Sequence, residues 1–236
     1  MTPILLAFGF SAPVAVGTDL LYAAITKGGG VTTHTRQKTI EWKIVGFMAA
    51  GSMPASLATM WFLHRLQQQG VEYEKILTTT LGVMLIVTSL VLLFRSFLLY
   101  KRHQLADDRS NIGLFERRHA RGLTFSMGIV LGVMVTLSSV GAGAFGAAVL
   151  MILYPRMAII RIIGTDLAHA VPLTAVAGLG HGILGNVDLM LLVSLLLGSL
   201  PCIWLGTKLA YKVSDKIMQP LMASVLLLLG IYYALF

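Results

Sequence analysis

The sequence is poor in charged residues, which make up only 12% of its 236 positions. A soluble domain carries about 25% charged residues, and half that share cannot cover a surface that faces water. The mean hydropathy of +0.82 leads to the same conclusion. The composition therefore excludes an ordinary soluble protein and favours an integral membrane protein.

Cysteine is almost absent, since Cys202 is the single one. One cysteine excludes an intrachain disulfide and a cysteine-based metal cluster. The chain also lacks the HExxH, GxSxG, Walker and CxxC motifs of common enzymes and nucleotide-driven pumps. We therefore expect no enzyme activity, no cofactor and no metal, and we expect any transport to be driven by a gradient.

Long apolar runs stand where a soluble chain would carry charge. A helix needs about 20 apolar residues to cross the hydrocarbon core of a bilayer. We therefore predict an all-α integral membrane protein, a polytopic helical bundle. Five runs are near or above that length (44–63, 76–94, 123–153, 189–205 and 217–236), and two more are interrupted by polar residues (14–25 and 158–184).

The formal net charge of +8 comes mostly from short segments between these runs. Lys and Arg are concentrated in cytoplasmic loops of membrane proteins. This distribution argues against a nucleic-acid partner. It predicts that loops 27–43, 101–121 and 208–216 are cytoplasmic.

The sequence repeats itself at an offset of 147 positions. The ungapped offset aligns Gly17-Thr18-Asp19 with Gly164-Thr165-Asp166, His34 with His181, Glu41 with Asp188 and Pro54 with Pro201. Loop 27–43 holds four Lys or Arg residues, whereas its repeat partner 181–188 holds none. Opposite bias in equivalent loops predicts two inverted-topology repeats, related by an axis in the membrane plane. We assign the first repeat to 1–100, a basic cytoplasmic linker to 101–121 and the second repeat to 122–236.

The run 123–153 contains the glycine-rich stretch VGAGAFG at positions 140–146. Glycine disfavours a helix interior, so this stretch predicts a re-entrant hairpin of two half-helices. Close helix packing through small residues is the alternative. The first repeat lacks a counterpart of this hairpin. We expect that the sequence begins after the first hairpin of the protein. The alternative is that the protein has only one hairpin.

Two acidic residues lie within apolar runs. Asp19 follows Ser11, a potential helix cap, by about two turns, and Asp166 follows Pro155 by about three turns. A carboxylate at that depth costs a few kcal/mol, about 3 on insertion scales, so we expect each to face a cavity, a partner or a coupling ion. We propose that Asp19, Asp166 and the nearby His169 couple transport to protons. The alternatives are an Asp that accepts local backbone amides and a His that bonds between helices.

The glycine-rich stretch is also a candidate anion site. Half-helix N-termini carry partial positive charge and bind anions through backbone amides. We expect Ser138, Ser139, Gly141, Gly143 and Gly146 to hold the anion. Thr18 and Thr165 are further candidate hydroxyl donors.

Four strings carry a family resemblance: VGTDLLYAAITK, VGAGAFG, IIGTDLAHAVPLTAVAGLGHGILGNVD and GSLPCIWLG. They resemble the TauE/SafE sulfite-exporter family, over essentially the whole chain and most clearly at 126–209. The resemblance implies a bacterial plasma-membrane transporter of small sulfur-containing or organic anions, such as sulfite, sulfoacetate or thiosulfate. It also implies a glycine-rich segment ending in a stretch like SLMTPLL, whereas this chain begins at MTPILL.

The sequence therefore favours a secondary anion permease in the bilayer, with protons as the coupling ion and a homodimer as a compatible assembly. Two other classes stay open. One is a non-transporting membrane subunit, which fits a chain with a single hairpin. The other is an intramembrane enzyme that uses His and Asp.

Overall fold

The computed structural model describes residues 1–94, 120–141, 143–210 and 215–235, and every regular element in these ranges is a helix. The helices are α1 Thr2–Ala7, α2 Ala12–Arg36, α3 Trp42–Gln68, α4 Glu74–Leu93, α5 Ala120–Ser138, α6 Ala144–Leu153, α7 Ile159–Ile183, α8 Leu189–Ala210 and α9 Asp215–Leu235. Most of the predicted linker 101–121, and residues 211–214 of the predicted loop 208–216, lie outside the described residues.

The helices have the length and surface of membrane spans. Within the described ranges, α3, α4, α5 and α7 are each long and apolar enough to cross a bilayer. Large apolar side chains such as Leu57, Ile183 and Leu228 are strongly exposed on the outside of the bundle. An apolar exterior of this kind is stable in lipid and unstable in water. The prediction of an all-α, polytopic membrane protein is confirmed.

The helix boundaries follow the offset found in the sequence. Helices α2 and α7 have 25 residues each, and their boundaries differ by 147 positions at both ends. Helices α3 and α8 begin at Trp42 and Leu189, which differ by the same offset. Equivalent sequence segments therefore fold into equivalent helices.

The structure corrects the predicted loop 27–43. Helix α2 continues to Arg36, so Lys27 lies inside a helix and only 37–41 connect α2 to α3. The predicted apolar run 14–25 ends well before the helix does, because Lys27 and three consecutive glycines follow it. Tertiary packing overrides the low helix propensity of this stretch.

The starts of α2 and α7 also differ from expectation. Ser11 occupies the N-cap position of α2 without a side-chain capping bond, and Glu74 instead accepts a hydrogen bond of 2.9 Å from the Ala12 N–H. Helix α7 begins at Ile159 rather than at Pro155. Asp166 therefore lies about two turns into its helix, as Asp19 does, and not three.

Small residues set the closest helix contacts. Helices α2 and α7 run antiparallel, because Gly17 contacts His181 while Gly164 contacts His34. Helices α4 and α9 approach in the same way, with the backbones of Gly82 and Gly230 in contact. Glycine lets helix backbones approach closely in membranes. The contacts of α2 with α7 and of α4 with α9 therefore pack the first half of the chain against the second.

The run 123–153 forms two helices, because α5 ends at Ser138 and α6 begins at Ala144. Helix α5 has 19 residues, which is more than a half-helix needs, and the re-entrant hairpin stays a prediction. Helix α6 has 10 residues. The Thr124 and Tyr154 hydroxyls are hydrogen bonded at 2.7 Å, which places the beginning of α5 beside the end of α6. The chain therefore returns along α5 after the break.

Candidate functional site

The break between α5 and α6 combines unusual backbone with buried polar groups. Gly141 and Gly143 have φ values of +117° and +137°, which favour glycine. Ser139 also has a positive φ, of +58°, although it carries a side chain. Its hydroxyl is buried and has no hydrogen-bond partner within the described part of the chain. Ala142 lies outside the described residues.

Ser138 closes the end of α5. Its hydroxyl donates to the Met134 carbonyl at 2.7 Å and accepts from the Val140 N–H at 3.2 Å. Local bonds of this kind satisfy the free groups at a helix end. In this conformation the Ser138 hydroxyl is therefore engaged with backbone, whereas the Ser139 hydroxyl is not engaged with any described residue.

Asp166 faces the beginning of α6. Its Oδ1 lies so close to Gly146, in the first turn of α6, that a Cβ at this position would overlap it. Asp166 is only 3% exposed, and its Oδ1 has no partner among the described residues. A helix N-terminus carries partial positive charge and stabilises a carboxylate. The structure therefore brings two predicted site residues, Asp166 and Gly146, into contact.

His169 lies one turn from Asp166 but bonds to a different helix. Its Nε2 is hydrogen bonded to the Ser52 hydroxyl of α3 at 2.8 Å, and its Nδ1 is buried with no partner in the described ranges. The sequence pattern did not indicate Ser52. The His169 ring is thus anchored to α3 through one nitrogen, and its other nitrogen makes no bond to a described residue.

Asp19 is tied to the first helix of the chain. Its Oδ2 accepts hydrogen bonds from the Thr2 N–H at 2.9 Å and from the Thr2 hydroxyl at 2.6 Å. The bonds are buried, and Asp19 is 6% exposed. Asp19 therefore accepts a backbone amide of α1, which is the structural role that the sequence left open.

Lys27 lies inside a helix, although the sequence predicted a loop at this position. It projects from the interior of α2 and interacts electrostatically with Asp166 and with Asp19. The repeat offset could have revealed it, because Lys27 aligns with Thr174 in the middle of an apolar helix. An ionisable residue inside a membrane helix is a functional candidate by default.

The two threonines of the repeated motif make reciprocal bonds. The Thr18 hydroxyl accepts from the Asp188 N–H at 3.1 Å, and the Thr165 hydroxyl accepts from the Glu41 N–H at 3.0 Å. Glu41 and Asp188 are themselves related by the offset of 147. Each threonine thus holds the entry to a helix of the other repeat, so each hydroxyl already has a backbone partner.

Among the residues that the structure describes, no three His, Cys, Asp or Glu side chains converge as metal ligands. An apolar cavity of about 190 Å³ lies beside the first turns of α6. It is lined by Val91, Leu92, Ala144, Ala147, Ala148, Met151 and Ile163.

An apolar exterior, buried charges and a helix break beside a buried carboxylate define a multi-pass helical membrane protein with an internal polar site. The chain belongs to the Sulfite exporter TauE/SafE family, whose profile matches residues 1–233. The family and its named relatives identify the protein as a membrane transporter.

Two relatives come from Bacillus subtilis (strain 168). The probable membrane transporter protein YjnA is 37% identical over 231 residues, which cover 98% of this chain and 89% of YjnA. The probable membrane transporter protein YdhB is 29% identical over 214 residues, which cover 86% of this chain and 78% of YdhB. No solved structure matches the chain significantly.

Proposed function

We propose that the protein is a gradient-driven permease of the bacterial plasma membrane that moves small sulfur-containing or organic anions, such as sulfite or sulfoacetate. The observation that carries this proposal is the contact of Asp166 with the first turn of α6. It joins a titratable group and an anion-attracting helix end in one buried place. Family membership supplies the transporter class.

Two inverted repeats would give this site its alternating access. The antiparallel contact of α2 with α7 supports this arrangement, because equivalent helices then run in opposite directions. The reciprocal bonds of Thr18 and Thr165 also support it. Inverted repeats place the binding site at their interface and let one repeat rock against the other. In this proposal the basic segments around 37–43, 101–121 and 208–216 face the cytoplasm.

The anion binds at the break that precedes α6. The backbone amides around Gly141 and Gly143 and the Ser139 hydroxyl supply the donors. The Gly146 N–H donates to the Gly141 carbonyl at 3.3 Å in the described conformation, so it binds the anion only when that bond is exchanged. Ser138, Thr18 and Thr165 are bonded to backbone in the described conformation. They contribute to binding only in a conformation that exchanges those bonds for bonds to the anion.

Protons couple to the anion through Asp166. An ionised Asp166 repels an anion at the same helix end, because like charges a few Å apart interact strongly at low dielectric. Protonation removes this repulsion, so the proton and the anion favour each other's binding. His169, one turn away, accepts or passes on the proton, and Asp19 supplies a second buried carboxylate.

Sulfite flux into proteoliposomes under an imposed pH gradient tests the proposal. Purified full-length protein is reconstituted, and radiolabelled sulfite uptake is compared with that of protein-free liposomes. We expect saturable uptake that stops when an ionophore dissipates the gradient. Gradient-insensitive uptake would contradict the proton role alone. Absence of uptake for sulfite, sulfoacetate and thiosulfate would contradict the assigned substrate class.

A further inference from the structure

Lys27 lies well inside α2 and is partly buried. It is 15 residues from the start of α2 and nine from its end, or about 22 Å and 13 Å along the helix axis. The antiparallel neighbour α7 fixes its height, since Leu167 contacts Gly30 and Gly178 contacts Leu21. Lys27 therefore lies between the level of Asp19 and the level of Asp166.

Both carboxylates interact with this one ammonium group. Along the helix pair Asp166 lies closer to the level of Lys27 than Asp19 does. Both carboxylates are near enough to interact electrostatically with Lys27. The cluster of Asp19, Lys27 and Asp166 carries a formal charge of −1 when all three groups are ionised.

We propose that Lys27 binds the substrate, a small oxyanion, beside the first turn of α6. This inference rests on the proposed anion transport and assigns the charged group of its binding site. A monovalent anion that enters together with a proton on Asp166 leaves the formal charge of the cluster at −1. The cluster thereby holds an anion without adding net charge to the membrane interior, where each unpaired charge is costly.

A purely structural role for Lys27 makes a different prediction. If Lys27 only neutralises Asp166, removal of both charges restores the site, because a buried charge is costly only when it is left alone. If Lys27 binds the anion, removal of both charges leaves the anion without a cation. The double variant K27Q/D166N therefore separates the two roles.

Equilibrium binding of radiolabelled sulfite to full-length protein in nanodiscs, at one fixed pH, provides the test. The variants are K27Q, K27R, D166N and K27Q/D166N, with K75Q at an exposed lysine of α4 as the matched control. We expect K27Q and K27Q/D166N to weaken binding by about tenfold or more, as for the loss of one charge-assisted contact. We expect K27R to retain most of the affinity and K75Q to retain all of it.

Thermal unfolding shows which variants are folded. K27Q leaves Asp166 without its cation, so K27Q/D166N is the variant that keeps the test valid if K27Q does not fold. Wild-type affinity in K27Q or in the double variant would overturn the anion-binding role of Lys27. It would leave the proposed transport function untouched. Absence of sulfite binding by the unaltered protein would overturn sulfite as the ligand and the Lys27 proposal with it.

Discussion

The Asp166 carboxylate lies directly against Gly146, and the absence of a side chain at Gly146 allows this contact. The two residues are 20 positions apart, on α7 and α6. The carboxylate thus lies at the N-terminus of α6, whose partial positive charge stabilises its ionised form. The contact makes the state of Asp166 and the position of α6 interdependent, since movement of either changes the electrostatic energy of the other.

Gly146→Ala tests this contact. The added methyl group would overlap Asp166 Oδ1, so α6 or Asp166 must move. We expect the free energy of unfolding to fall by about 1–3 kcal/mol, as for other overpacked sites, and anion uptake to fall strongly. Thermal unfolding in detergent and proteoliposome uptake measure the two effects.

Gly46→Ala is the control for this substitution, because Gly46 lies in α3 and a Cβ there meets no atom within 4 Å. Alanine should stabilise that helix by about 1 kcal/mol through its higher helix propensity. Equal behaviour of the two variants would show that the contact between Gly146 and Asp166 is unimportant for both stability and transport.

Asp166→Asn tests proton coupling. Asparagine keeps the shape of the side chain but does not titrate. Because the variant removes one of the two carboxylates that interact with Lys27, thermal unfolding must first show that it is folded. We expect its pH-driven sulfite uptake to fall to the level of protein-free liposomes. Glu72→Gln, at an exposed carboxylate, should transport normally. Unchanged proton-driven uptake by Asp166→Asn would remove Asp166 from the coupling mechanism.

The periodic and repeated features of the fold were predictable from the sequence. Apolar runs located the spans, and the boundaries of α2 and α7 follow the 147-residue offset, although the predicted runs 14–25 and 158–184 differ in length. Local propensity wrongly predicted a loop at Lys27, because a lysine followed by three glycines is typical of a loop. Packing against α7 keeps α2 helical at Lys27. Because α7 begins 132 positions after Lys27 in the sequence, a local pattern cannot reveal this contact.

The candidate site was predictable in its residues but not in its partners. The motif drew attention to Asp166 and His169, and the glycine-rich stretch drew attention to Gly146. The hydrogen bond between His169 and Ser52 joins residues 117 positions apart. No spacing rule connects two such residues, because their contact depends on how α3 packs against α7.

Thr18→Val and Thr165→Val test the reciprocal bonds between the repeats. Valine has the shape of threonine but leaves the N–H of Asp188 or Glu41 without its acceptor. We expect each variant to lose about 1 kcal/mol of stability, the low end of the cost of an unsatisfied donor, because each N–H is only partly buried. Thr→Ser at each position keeps the hydroxyl and should lose less. Thermal unfolding of all four variants decides, and valine variants as stable as wild type would show that water replaces the threonine.

Gly17→Ala and Gly164→Ala test how closely the two halves match. A Cβ at Gly17 would overlap the carbonyl oxygen of Asn186, which is backbone and cannot move alone. A Cβ at Gly164 would come within 2.7 Å of Nδ1 of His34, a side chain that can rotate away, and within 2.9 Å of the Thr39 carbonyl.

We therefore expect both alanine variants to be destabilised, Gly17→Ala by more than Gly164→Ala. Overpacking costs about 1–3 kcal/mol, and the cost is greater where the neighbour is rigid. Melting temperatures in detergent provide the comparison, with Gly46→Ala again as the control. The reverse order would mean that the His34 ring and the Thr39 carbonyl together yield less than the backbone at Asn186. Because His34 contacts Gly164 only two residues before Asp166, such rigidity would place His34 among the residues that position the carboxylate.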